Sequence, residues 1–236
     1  MPVCTRSYPP AKNCLWRGAG ILYIAMLLAG LVAGFWPDAL YVSHGRRGAP
    51  LPTLQTVAIA QCLYLLVVWP IVQAFRSDGP HGPMRPVAAI RESVLLLVVG
   101  VPFYVVAGQF ADASGNDLAR TVMAVAGLLP LAWAAALWMA TCRPGRPAVL
   151  LTMLALTLGA PATYYILREF LGATASGPAR IFLQGSPITF TWEVARSQVP
   201  RWVPMPAWPV LAWLAIGAAA ALINVAASVR TVPKDL

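Results

Sequence analysis

Two histidines, His44 and His81, and a few isolated carboxylates are the side chains in this 236-residue sequence that could do acid–base or metal chemistry. Both histidines fall in connections between apolar runs, where they cannot point inward as axial haem ligands, so a bis-histidine cytochrome is excluded. No pair of carboxylates lies inside an apolar run, which removes the usual intramembrane proton relay. Ser93, Ser114, Ser186 and Ser197 stand near the ends of runs, and none occupies a Gly-x-Ser-x-Gly frame. No Gly-x-x-x-x-Gly-Lys loop is present, so any ATP hydrolysis must take place on another chain. The residues therefore point to no enzyme, no metal site and no cofactor. The four cysteines, Cys4, Cys14, Cys62 and Cys142, match no zinc spacing and read as reduced thiols.

The elements that would carry these residues are set by composition. The chain is 59% apolar and only 11% charged, with a mean hydropathy of +0.69. A soluble domain carries roughly 25% charged residues to hydrate its surface, so lipid must solvate much of this one. An uncharged run of about 20 residues spans a hydrocarbon core of about 30 Å. Six such runs are found, at about Gly20 to Trp36, Leu54 to Phe75, Val94 to Phe110, Leu118 to Thr141, Ala148 to Leu167, and Ala207 to Val229. The expected fold is thus an all-α bundle of six transmembrane helices in one domain, residues 1–236. The aromatic-proline sequence Phe35-Trp36-Pro37 is a poor cleavage site, so the first run reads as a retained anchor and not a signal peptide.

Even span number puts both termini on one side. That side collects ten of the 17 Lys and Arg residues, and four of the other seven belong to one long connection. Because cytoplasmic connections carry the excess of Lys and Arg, both termini are expected in the cytoplasm, in the manner of a bacterial inner-membrane protein. The net charge of +9 suits the anionic lipid of the cytoplasmic leaflet, and no folded basic module for nucleic acid is present. Arg120, one turn inside a span, is placed to snorkel.

Within the spans the chemistry is mild polarity and proline. Gln61, Gln73, Gln109, Thr152, Thr157, Thr163 and Asn224 are candidates for bonds between helices, and Pro70, Pro102, Pro130 and Pro161 put one proline in each of four spans. Gly30 and Gly34 form a GxxxG step suited to close helix packing. Trp36, Trp69, Trp138, Trp202 and Trp208 fall near span ends, as interfacial anchors do. The connection from Arg168 to Pro206 contains Ile181-Phe182-Leu183 and Ile188 to Trp192, too apolar for a solvated loop. It is expected to form a re-entrant or interfacial helical hairpin before the last span, the alternative being a surface cap that packs on the bundle.

Three features together resemble a known family: six spans with both termini inside, a short cytoplasmic connection after the second, and a long apolar external connection before the sixth. The segment Ser186-Pro187-Ile188-Thr189, followed by Glu193 and Arg196, is similar to the Asn/Ser-Pro-Leu-Thr…Glu…Arg pattern that ABC-2 (type-2 exporter) permeases carry before their final span. Arg91-Glu92-Ser93, with the leucines after it and Pro102, is similar to the stretch that opens their third span. The resemblance implies a membrane-spanning permease subunit energised by a separate ATP-binding subunit. It implies that Met84 to Glu92 is the coupling element, with Arg85, Arg91 and Glu92 contacting that ATPase. It also implies pairing with a second copy or a second permease, for which the Gly30/Gly34 face is the candidate. The Gly-Thr of the family's third-span motif is missing, and Gly79-Pro80-His81-Gly82-Pro83 stands where a coupling helix would begin. The other reading of the same sequence is a non-catalytic membrane anchor or assembly subunit of a larger complex.

Overall fold

A computed structural model describes residues 12–41, 52–78, 86–171, 185–195, 211–219 and 222–223, and these are helical apart from short turns. The helices are α1 (Lys12–Tyr41), α2 (Thr53–Leu63), α3 (Trp69–Ser77), α4 (Pro86–Phe110), α5 (Gly115–Ala126), α6 (Leu129–Thr141), α7 (Arg146–Leu154), α8 (Ala160–Leu171) and α9 (Pro187–Val194). A further helical segment, α10, covers 211–219. Five stretches are long and apolar enough to cross a membrane: Gly18–Phe35, Thr53–Ser77, Val87–Phe110, Gly115–Thr141 and Arg143–Thr163. Of the expected sixth span, 207–229, only 211–219 and 222–223 lie within the described residues.

Proline explains how the second and fifth spans are built. Pro70 and Pro161 have no N–H, and each ring would collide with the carbonyl four residues back. The chain answers by widening the preceding turn: Tyr64–Val68 and Ala155–Gly159 are π-helical. The N–H of Trp69 bonds to the carbonyl of Tyr64 and that of Ala160 to Ala155, five residues back in both cases. The fourth span meets Pro130 differently, by breaking at Gly127–Leu128 and restarting as α6 with the proline in its first turn. Of these four span prolines, Pro102 alone sits inside an uninterrupted helix, α4.

The second span is the axis of the bundle, with 61% of it buried against 11% of Arg143–Thr163. Its core is continuous from Leu54 through Val57, Ala58, Cys62, Leu65 and Leu66 to Trp69. Trp69, expected as an interfacial anchor, is instead 2% exposed and belongs to this core, directly after the widened turn. The lipid-facing surfaces are apolar. On α4 they include Val94, Leu95, Val98, Val101 and Val105, and on α1 Ile21, Leu22, Leu28 and Val32.

The third span begins earlier than its uncharged run. Its helix starts at Pro86, so Arg91 and Glu92 belong to its second turn. A proline at the first helical position costs no hydrogen bond, which is why the start is permitted there. At the opposite end, Asp112 takes a left-handed conformation (φ 49°) and the N–H of Ala113 returns to the carbonyl of Gly108 at 2.9 Å, closing α4. Ser114 then caps α5 in a reciprocal box with Asp117: the Ser114 N–H reaches the Asp117 carboxylate at 3.0 Å, and the Asp117 N–H reaches the Ser114 hydroxyl at 3.3 Å.

Candidate functional site

Four places where the described helices are joined bear on the residues singled out in the sequence. The first is the contact of α1 with α2. A Cβ on Gly34 would lie 2.5 Å from Thr53 Cα, and one on Gly30 would lie 2.9 Å from both Ala60 Cβ and the Thr56 carbonyl. The GxxxG step therefore packs α1 onto α2 of the same chain. That face is occupied and is not free to receive a second copy.

The second place is the end of the bundle where the second and third spans meet. Glu92 is buried on α4 and accepts from Gln73 Nε2 at 2.8 Å and from Arg76 Nη1 at 2.6 Å. Its carboxylate is thus satisfied by α3. Arg91, the adjacent residue, is exposed. Arg85 lies outside the described residues, so of the three residues named for ATPase coupling Arg91 alone is both placed and turned outward.

The third place lies at the same end and was not read from the sequence. Arg146, at the start of α7, donates to both carboxylate oxygens of Asp78 at 2.5 and 3.1 Å, to Ser77 Oγ at 2.9 Å and to the Met139 carbonyl at 2.7 Å. Arg143 adds a contact to Asp78 at 3.0 Å. Hydrogen bonding from Arg146 holds the Asp78 carboxyl below its ordinary range. One guanidinium thus ties the end of the second span to the turn between the fourth and fifth, using the fork of donors that lysine lacks. The signal in the sequence is Arg143-Pro144-Gly145-Arg146, two arginines flanking a tight turn, which by itself does not name Asp78 as their partner.

The fourth place is α9. Its eight residues pack on α2, on α5 and on the π-turn of the fifth span. Ser186 and Pro187 are buried, and Ser186 Oγ donates to the Thr157 carbonyl at 3.3 Å. That carbonyl is four residues before Pro161, so it is the one deprived of its ordinary helical donor. Thr191 Oγ1 lies 3.4 Å from Cys62 Sγ, Gln55 Nε2 donates to the Trp192 carbonyl at 3.4 Å, and Phe190 stacks edge-on against Trp213 of α10 at 5.1 Å. Thr189 closes back on the Ser186 carbonyl at 3.2 Å and Glu193 is exposed. Arg196 lies outside the described residues.

Of the other polar residues in the spans, Gln61 bonds between helices: Nε2 donates to Tyr23 Oη at 2.9 Å and to the Leu96 carbonyl at 3.3 Å. Thr152, Thr157 and Thr163 instead donate to their own helix four residues back. Gln109 is exposed, and Asn224 is outside the described residues. Arg120 pairs with Asp117 at 3.9 Å. Among the described residues no group of His, Cys, Asp and Glu could hold a metal ion.

An all-helical bundle with five apolar spans defines the class: the chain is an integral membrane protein. Compared with known proteins, it matches no family model, no curated protein and no solved structure.

Proposed function

We propose that the chain is the permease half of an ABC-type exporter, energised by a separate ATP-binding subunit. The observation that carries this reading is α9. Ser186-Pro187-Ile188-Thr189, the residues of the family-like motif, form the buried start of a short helix wedged among the spans ahead of the last one. A short buried helix that bonds to the kinked fifth span and packs against α10 suits the re-entrant or interfacial element expected from the apolar connection. Such irregular backbone is tolerated at membrane depth only where protein covers it.

In this reading the bundle end with Asp78, Arg91 and Arg146 faces the cytoplasm. Arg91 offers the charged contact to the ATPase, while Glu92 braces the helix that carries it. ATP binding on the partner shifts the bundle between inward- and outward-open states. Pairing with a second permease uses a face other than Gly30 and Gly34, which α2 already fills.

The test is purification of the tagged protein in mild detergent, identification of what accompanies it by mass spectrometry, and assay for ATP hydrolysis. A stoichiometric P-loop ATPase whose turnover falls severalfold with Arg91→Ala supports the proposal. A respiratory or biogenesis complex without an ATPase overturns it in favour of an anchor subunit.

A further inference from the structure

The second, fourth and fifth spans are each irregular at one point, and the three points lie at a common depth. Tyr64–Val68, Gly127–Leu128 and Ala155–Gly159 all stand about a dozen residues, or roughly 18 Å of helix, from the end that carries Asp78 and Arg146. They are also neighbours. The widened turn of the second span packs against α6, which follows the break in the fourth, and against α7, which leads into the widened turn of the fifth. A widened or broken turn lacks the regular ladder of a straight helix, so each point is where its span can bend.

The pair α9 and α10 reaches all three points. Ser186, the N-cap of α9, donates its hydroxyl to the Thr157 carbonyl inside the widened turn of the fifth span at 3.3 Å. Further along α9, Thr191 Oγ1 lies 3.4 Å from Cys62 Sγ, two residues before the widened turn of the second. Phe190 meets Trp213 of α10, and one turn on Gly217 lies against the restart of the fourth span: a Cβ there would stand 2.6 Å from the Pro130 carbonyl carbon and 2.9 Å from the Leu131 nitrogen. Ser186, Phe190, Thr191 and Trp213 are all buried. Yet a helix of eight residues does not persist by itself, and the Ser186 bond is a long one. The shape of α9 therefore depends on its being seated on these spans.

We propose that α9 is a clasp across a layer of hinges. Seated, it holds the second, fourth and fifth spans at one set of bends; lifted, it frees all three together, and the halves of the bundle on either side of the layer move as units. The clasp is made of contacts within the chain and serves an exporter half and an anchor subunit alike, so it can fail without the proposed function failing, and the reverse.

Hydrogen–deuterium exchange of the detergent-purified full chain tests the clasp, because it reads local opening segment by segment. Ser186→Ala removes the hydroxyl bonded to the fifth span. Thr191→Val, which keeps the shape of the side chain, removes the one beside Cys62 of the second. Each variant is expected to raise uptake severalfold at all three points, while Pro86 to Ser93 of α4, braced at Glu92 by Gln73 and Arg76, exchanges as in wild type. A rise confined to the span whose own contact was cut overturns the clasp, since a merely structural bond loosens only its neighbour. So does the absence of any rise, and so does a rise that extends to Pro86–Ser93, which marks general loosening of the bundle.

Discussion

At the scale of single residues, Arg146 does more than any other described charge to fix one part of the chain to another. Its guanidinium reaches Asp78, Ser77 and the Met139 carbonyl at once. Because that hydrogen bonding lowers the Asp78 pKa in the folded protein, the unfolded chain binds the proton more readily there. The contribution is therefore complete above the unfolded carboxyl pKa of about 3.9 and is lost as pH falls through the lower folded value. Thermal midpoints of wild type and Asp78→Asn should differ at neutral pH and converge on acidification below about pH 4. Arg146→Lys should lower the neutral midpoint almost as far as Arg146→Ala, since an ammonium cannot address three acceptors in the guanidinium's fixed geometry. A lysine variant equal to wild type would show that charge alone holds the turn.

Elements were legible in the sequence to the extent that uncharged length decides them. The five apolar runs found as spans stand close to where length and hydropathy put them. Their ends are not legible, because a charge in a sequence signals water whether or not a neighbouring helix satisfies it. Glu92 shows why that fails: Gln73 and Arg76 from α3 satisfy it, so the helix runs past it without facing solvent. Pro70 and Pro161 mark in the sequence where a helix must yield, but the donor that Ser186 gives to Thr157 depends on a segment 29 residues away. The GxxxG step could be read as packing, not as which helix it packs. With α2 identified as its partner, glycine replacement becomes a graded test. Gly34→Ala drives a Cβ to 2.5 Å from backbone, with nothing flexible to yield, and overpacking of this kind costs about 1–3 kcal/mol. At about 2–4 °C per kcal/mol for a chain of this size, the midpoint should fall measurably. Gly30→Ala should cost less, and Gly20→Ala, which meets nothing within 4 Å, should leave it unchanged.

For the whole molecule, the contacts settle which connections share an end. Arg146 on Asp78 and Arg76 on Glu92 bring together the ends at Ser77, Pro86, Thr141 and Arg146. Thr53 donating to the Ala107 carbonyl at 2.8 Å, and Phe35 against Phe110 at 4.7 Å, bring together the other ends. The spans therefore alternate, and one decision orients all of them. Toward the first end the described helices carry Arg17, Arg76, Arg91, Arg143 and Arg146; toward the other, Asp112 lies in the α4–α5 turn, α5 carries Asp117 and Arg120, and α8 carries Arg168. Positive charge near short connections resists translocation, so the proposed reading predicts that the first end faces the cytoplasm. Native Cys142 lies at that end and is partly exposed, while exposed Asn116 lies at the other. In intact cells a membrane-impermeant maleimide should label Asn116→Cys and leave the native thiols unlabelled, with Cys142 reacting only after permeabilisation. Labelling of Cys142 in intact cells, with Asn116→Cys protected, would invert the whole bundle. It would also put Arg91 on the side without ATP and so remove the proposed ATPase contact.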